Sequence, residues 1–170
     1  MPPSFHRAPW SASLWLVSLI SVVILLFVCT FVGSRVPAWP WGGLPRAFAI
    51  YLPLIILLGA ALFVIRGYEL TSTELRVQRL LWLTTISLSG LERAWHDPNA
   101  MAWSLRLFGN GGLFSISGLF RNRTLGNYRA FATYPKRAVV LAFAGRKIVV
   151  TPENPEMFLR ELGTLKGKEP

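Results

Sequence analysis

The side chains best suited to acid–base, nucleophilic or metal chemistry are few in this 170-residue chain: His6, His96, Cys29 and eight carboxylates. His96 and Asp97 are adjacent, and an imidazole oriented by a carboxylate would be the start of a general-base dyad. Neighbours in a strand point to opposite faces, however, and Asp97-Pro98-Asn99 is a turn signal, so the pair reads as the edge of a surface loop. Cys29 lies inside a charge-free apolar run, where it cannot meet a histidine of another segment. A single cysteine also excludes an intrachain disulfide and a cysteine-rich zinc site. No HExxH, G-x-S-x-G or P-loop spacing occurs. The expectation is a protein that is not an enzyme and has no metal site and no cofactor.

Anion chemistry has more to work with. Gly109, Gly111, Gly112, Gly118 and Gly126 could turn backbone N–H groups toward a phosphate, but no Lys-Ser/Thr follows the last glycine, and bulges and sharp sheet bends account better for the spacing. Arg121, Arg123 and Arg129, with Lys136 and Arg137 in the next turn, form the densest basic group. Two readings stand for it: a contact for anionic lipid headgroups or a protein partner, or ordinary basic residues facing a negative leaflet. The whole chain carries 18 Lys and Arg against 8 Asp and Glu, a net charge of +10, while apolar residues reach 52% and charged residues only 15%. Disorder is excluded by that composition. Nucleic acid is not expected as a partner, since no aromatic-plus-basic reader motif is present.

Two segments must lie outside water. Leu14–Val32 and Ala47–Ile65 are each free of charge, and at about 1.5 Å per helical residue each nearly covers a hydrocarbon core of roughly 30 Å. The expected organisation is a membrane hairpin over residues 1–66, with spans at about 14–32 and 47–65. Trp39 and Trp41 in the Pro/Gly-rich connection would sit at headgroup depth, and Pro53 would kink the second span. A signal peptide is disfavoured by the length of the first run and by the second one after it. Both flanks of the hairpin are slightly more basic than its loop, which holds Arg35 and Arg46. The expected location is therefore the inner, cytoplasmic membrane, multi-pass, with both termini cytoplasmic.

From Arg66 onward lie 15 basic residues and all eight acids, a net +7. Apolar runs shorten there to strand length. Tyr68–Leu70, Glu74–Arg79, Thr84–Leu88, Leu91–Trp95, Ala102–Phe108, Tyr128–Thr133, Ala138–Phe143 and Lys147–Thr151 read as strands. Asn154 and Pro155 then start a helix whose Phe158, Leu159, Leu162 and Leu165 share one face. Leu80-Leu81-Trp82 falls where a polar hairpin turn is expected; either it dips into the membrane interface or the turn lies elsewhere and these residues are core.

The series YELTSTELRVQR, ISLSGLERAW, RLFGNGGLFSISGLFRNRTLGNYRAFAT and AVVLAFAGRKIVVTPENPEMFLREL resembles the bacterial pleckstrin-homology-like (PH-like) domain found behind short membrane hairpins. The resemblance covers residues 67–165, with 166–170 left as a basic tail. It implies a mainly-β domain, a seven-stranded, strongly bent sheet with one C-terminal helix, and a binding role.

The expected function is a membrane-anchored, non-catalytic interaction module at the cytoplasmic surface that binds a membrane or cytoplasmic protein or anionic lipid. The alternative is a structural protein that assembles through its transmembrane hairpin into a homo-oligomer.

Overall fold

The computed structural model describes residues 3–35 and 44–166, so Trp39, Trp41 and tail residues 167–170 lie outside the described residues. Strands β1 (Ser4–Arg7), β2 (Ile65–Leu70), β3 (Glu74–Arg79) and β4 (Leu83–Ser87) form one antiparallel sheet in that order. Strands β5 (Leu91–His96), β6 (Leu105–Gly111), β7 (Ile116–Asn122), β8 (Gly126–Ala132), β9 (Val139–Phe143) and β10 (Arg146–Val150) form a second, in the order β5-β9-β10-β8-β7-β6. Its only parallel pair is β8 with β10.

The sheets face each other as a sandwich because alternation in β2 and β3 turns Tyr68, Leu70, Leu75 and Val77 inward, against Phe131, Leu141, Ile148 and Val150. β9 is apolar throughout because it is covered on both sides: Val139 and Leu141 enter the sandwich, while Val140 packs outward with Tyr128 and Val149. The C-terminal helix, Pro155–Lys166, starts where expected, with Met157 N donating to the Asn154 side chain at 3.0 Å. Its Phe158 and Leu162 plug the sandwich, each contributing roughly 1.5–3 kcal/mol by burial.

Ten strands are present among the described residues, where eight segments were read as strands and the resemblance implied seven. One addition, β1, comes from the N-terminal flank assigned to the membrane segment. It pairs with β2 from Ser4↔Leu70 to Arg7↔Gly67, and Gly67 is required there because a Cβ would collide with the Phe5 ring and the His6 carbonyl. The boundary at residue 66 therefore does not follow the sheet. The other addition, β7, was hidden by its glycines: Gly109 and Gly118 face each other across β6 and β7 at φ +106° and +147°. A Cβ on either would strike the opposite backbone, so these glycines serve close strand approach beside a β-bulge. β6 begins three residues later than expected, because Pro98–Trp103 is taken up by turns.

Helix α1 (Ala12–Phe27) is capped by the Ser11 side chain, which accepts from Leu14 N at 3.1 Å, and a π-helical turn, Val28–Val32, extends it. Ala12–Phe31 is long and apolar enough to cross a membrane. Its side chains are not those of a core helix, since Trp15 and Leu19 are 62% and 61% exposed. The second expected span is corrected by the structure. Helix α2 (Leu44–Leu62) ends three residues early, and its apolar part, Arg46–Leu62, is shorter than the length that marks a spanning candidate. Only one described helix qualifies. The apolar run continued to Ile65 because Ile65 is 1% exposed in the sandwich core, so its apolarity serves a strand and not a span.

Two predictions follow from this packing. The Tyr68 hydroxyl donates to Phe131 O at 2.6 Å and accepts from Thr151 N at 3.2 Å, and its burial pushes its pKa up to about 12. Tyr68→Phe leaves a buried carbonyl and N–H without their partner, so denaturation of the full chain in nanodiscs is expected to show a loss of about 1–3 kcal/mol. The second concerns β1 and the C-terminal helix, which are joined by His6 Nε2 and Glu161 Oε2 at 2.9 Å, with the His6 ring edge-on to Phe158. Burial raises the Glu161 pKa, but hydrogen bonds from Ser4 and His6 and the His6 charge outweigh it and hold the carboxyl below its usual range. A depressed carboxyl stabilises the fold above its unfolded pKa and loses that contribution as pH falls through the folded value. The Tm difference between the native chain and Glu161→Gln should therefore shrink below about pH 4.5; a constant difference contradicts it.

Candidate functional site

The two helices leave and rejoin the sandwich at one end. Ser11 N, at the head of α1, donates to Thr133 O just after β8, and α2 ends at Leu62, directly before β2. The tip between β6 and β7 also reaches this end, where Ser18 of α1 donates to Gly112 O at 3.1 Å and accepts from Phe114 N at 2.9 Å.

Arg79 ties these parts together. Alternation along ELRVQR puts it on the buried face after Leu75 and Val77, and it is 7% exposed. Its guanidinium donates to Phe63 O at 3.0 Å, Ser117 Oγ at 3.0 Å and Thr84 Oγ1 at 3.2 Å. It thereby joins the last turn of α2 to both sheets, and a cation at helix C-terminal carbonyls is favourable. The rings of Phe63, Phe131 and Trp82 surround it at 5.2, 5.4 and 5.8 Å. Burial lowers the Arg79 pKa, and the neighbouring charge of Arg129 adds to this. Sequence reading placed Arg79 at the end of the Glu74–Arg79 strand and gave it no role in a site, although its place in the alternation was a usable signal for burial.

Leu80, Leu81 and Trp82 form the β3–β4 turn itself, with Arg79 N donating to Trp82 O at 3.0 Å. Leu81 is 74% exposed and Leu80, Trp82 and Leu83 are exposed beside it. The Trp82 ring meets the Phe63 ring edge-on at 5.3 Å. The apolar turn therefore stands next to the point where α2 ends.

The basic group is not brought together. Arg121 is at the end of β7, and Arg123 is in the β7–β8 turn; Arg129 is mid-strand in β8, and Lys136 and Arg137 follow its far end. Seven residues of strand separate the two ends by about 20 Å. Lys136 and Arg137 lie at the helix end of the sandwich, where Arg137 stacks on Tyr134 at 4.9 Å and donates to Glu153 O. Arg129 lies over Phe131 at 5.1 Å on the inner face of the second sheet.

His96 and Asp97 make separate contacts: His96 Nε2 lies 3.3 Å from Lys136 O, and Asp97 Oδ1 accepts from Asn99 N at 2.8 Å. Among the described residues no group of three His, Cys, Asp or Glu side chains is placed to hold a metal ion.

Comparison with known proteins agrees with this architecture of two sheets and a C-terminal helix. No curated protein and no solved structure matches the chain. The family model for the bacterial PH domain matches residues 66–165, and the chain belongs to that family.

Proposed function

We propose that the chain is an integral membrane protein that holds its PH domain on the cytoplasmic face of the bilayer as a non-catalytic binding module, contacting anionic lipid or a protein partner. The observation that carries this reading is the pairing of β1 with β2. Arg7 and Gly67 are paired in one sheet, so a chain that leaves through α1 must return to the same side before β2. The described segment available for the return is α2. Its apolar stretch is short, and roughly 17 residues is the lower limit for a crossing. Arg46 near its start can snorkel to the far interface.

In this arrangement Leu80, Leu81 and Trp82 enter the interface beside the end of α2, where an indole is well accommodated. Lys136 and Arg137 face the same leaflet, each cation near an anionic surface contributing about 1 kcal/mol. Arg121 and Arg123 point to a partner at the opposite end of β8. The slightly more basic flanks support cytoplasmic termini.

A second reading, assembly into a homo-oligomer, is favoured by one feature. Among the described residues, edge strand β6 pairs only with β7 and exposes Leu105, Leu107 and Phe108.

Two measurements test the first reading. Reporter fusions at the two ends should place both on the cytoplasmic face, and termini on opposite faces would remove the hairpin. In a Cys29→Ser background, an environment-sensitive label at Leu81→Cys should be blue-shifted in nanodiscs and quenched by spin-labelled lipid. The same label at Ser72→Cys, in the β2–β3 turn, should be unaffected. Equal behaviour of the two labels would show that the apolar turn does not meet the bilayer.

A further inference from the structure

The tip that joins β6 to β7 rests on α1 well past the start of that helix. Ser18 is two turns beyond the Ser11 cap, about 10 Å along the axis. It holds the tip from both sides, donating to Gly112 O and accepting from Phe114 N. The approach is close, since a Cβ on Gly112, at φ +148°, would come within 3.2 Å of the Val17 side chain. Trp10, Trp15 and Phe114 gather beside it, with ring centroids 4.7 Å apart for Trp10 and Trp15 and 6.2 Å apart for Trp10 and Phe114.

A bilayer that stopped short of the tip would have too little of α1 to span it. Beyond Ser18 the apolar helix retains Leu19–Phe31, 13 residues. Counted to Ser34, the last residue before Arg35, it offers 16 residues, about 24 Å against a hydrocarbon core of roughly 30 Å. A core that begins at Leu16 has 19 residues instead, and it puts Trp10 and Trp15 at the depth where indoles collect. The side chains agree with the deeper placement: Trp15 and Leu16 are 62% and 58% exposed, so the domain leaves the first turns of α1 uncovered.

A turn at that depth must satisfy its own backbone, because no water is there to do so. Asn110 Oδ1 accepts from Gly112 N and Leu113 N at 3.2 and 3.0 Å, and Asn110 Nδ2 donates to Leu113 O. Ser18 takes the Gly112 carbonyl and the Phe114 N–H. Two side chains thus pair every backbone group from Gly112 N to Phe114 N. The strands behind the tip suit the same surroundings, since no charged residue occurs from Leu107 to Phe120.

We propose, resting on the membrane reading above, that the β6–β7 tip, Gly111–Phe114, inserts below the headgroups alongside α1 and meets acyl chains through Leu113. The surface is continuous with the lipid-facing side of α1 through the Ser18 contact, and what it meets is hydrocarbon, not the charged headgroups. The domain is thereby held to the bilayer at two places, Leu80–Trp82 beside α2 and the tip beside α1, and Ser18 fixes the depth of the second.

The test places single nitroxide labels on the full chain, in a Cys29→Ser background, in nanodiscs of neutral phosphatidylcholine. Collisions with oxygen, which concentrates in hydrocarbon, are compared with collisions with a water-soluble nickel chelate. Oxygen should dominate severalfold at Val23→Cys, on an exposed position of α1, and at Leu113→Cys; the chelate should dominate at Leu105→Cys, at the other end of β6. Gly111→Cys, where the atoms nearest a new Cβ belong to the flexible Arg106 side chain, repeats the measurement should Leu113→Cys disturb the tip. Oxygen dominance at Val23 with chelate dominance at both tip positions overturns the insertion and leaves the membrane reading standing. Chelate dominance at Val23 removes both. A tip shielded from both quenchers would be covered by protein, which equally overturns the insertion.

Discussion

Everything in the architecture depends on the antiparallel pairing of Ser4–Arg7 with Ile65–Leu70. Strands that share backbone hydrogen bonds are about 4.8 Å apart, so the two ends of the apolar excursion between them are brought together. The helices are thus an insertion into a sheet and not a leader before a domain. Glu153 N donating to Arg7 O and the His6–Glu161 contact fasten the same strand to the segment that opens the C-terminal helix and to that helix. A fragment starting at residue 67 would lack β1 and the first two residues of β2.

Arg79 does for the other side what β1 does for the N-terminus. Its three hydrogen bonds reach the end of α2, β4 and β7, so the return of the chain from the apolar helix is set by a single buried cation among three aromatic rings. Aromatic faces stabilise a guanidinium by roughly 0.5–2 kcal/mol each, depending on desolvation. That compensation is partial, which is why its pKa is lowered. The same crowding of positive charge reaches Arg129 across the Phe131 ring.

The second sheet is wider than the first, and this mismatch generates the open surfaces of the domain. β9 and the C-terminal halves of β8 and β10 are buried on both faces, whereas β6 is exposed along almost its whole length. Glycines make the overrun possible: the Gly109–Gly118 approach and the adjacent bulge let β6 and β7 bend away from the sandwich. Sequence reading found the strand at Ala102–Phe108 and assigned the glycines to bulges and sheet bends, but missed β7, since a glycine where backbones touch interrupts the hydrophobic alternation that marks a strand.

Local periodicity determined a large part of this protein. The charge-free run after Leu14, the alternation of Glu74–Arg79, the apolar pair of strands around Gly145 and the capped C-terminal helix were all legible, because each is specified by neighbours a few residues away. At Leu80–Trp82 the sequence left a turn and a core segment as alternatives, and the structure makes it the β3–β4 turn. Tertiary structure alone decided that Ser4–Arg7 is a strand, since a four-residue segment is too short to show a period of its own until β2 offers an edge. It decided that Phe63–Ile65 leaves the helix, because only the sandwich core supplies a competing place for Ile65. It also divided the basic residues: nearness in sequence grouped Arg121, Arg123, Arg129, Lys136 and Arg137, but a strand carries its ends about 20 Å apart. The parallel pairing of β8 with β10 instead sets Arg129 beside Ile148, a position that sequence distance does not reveal.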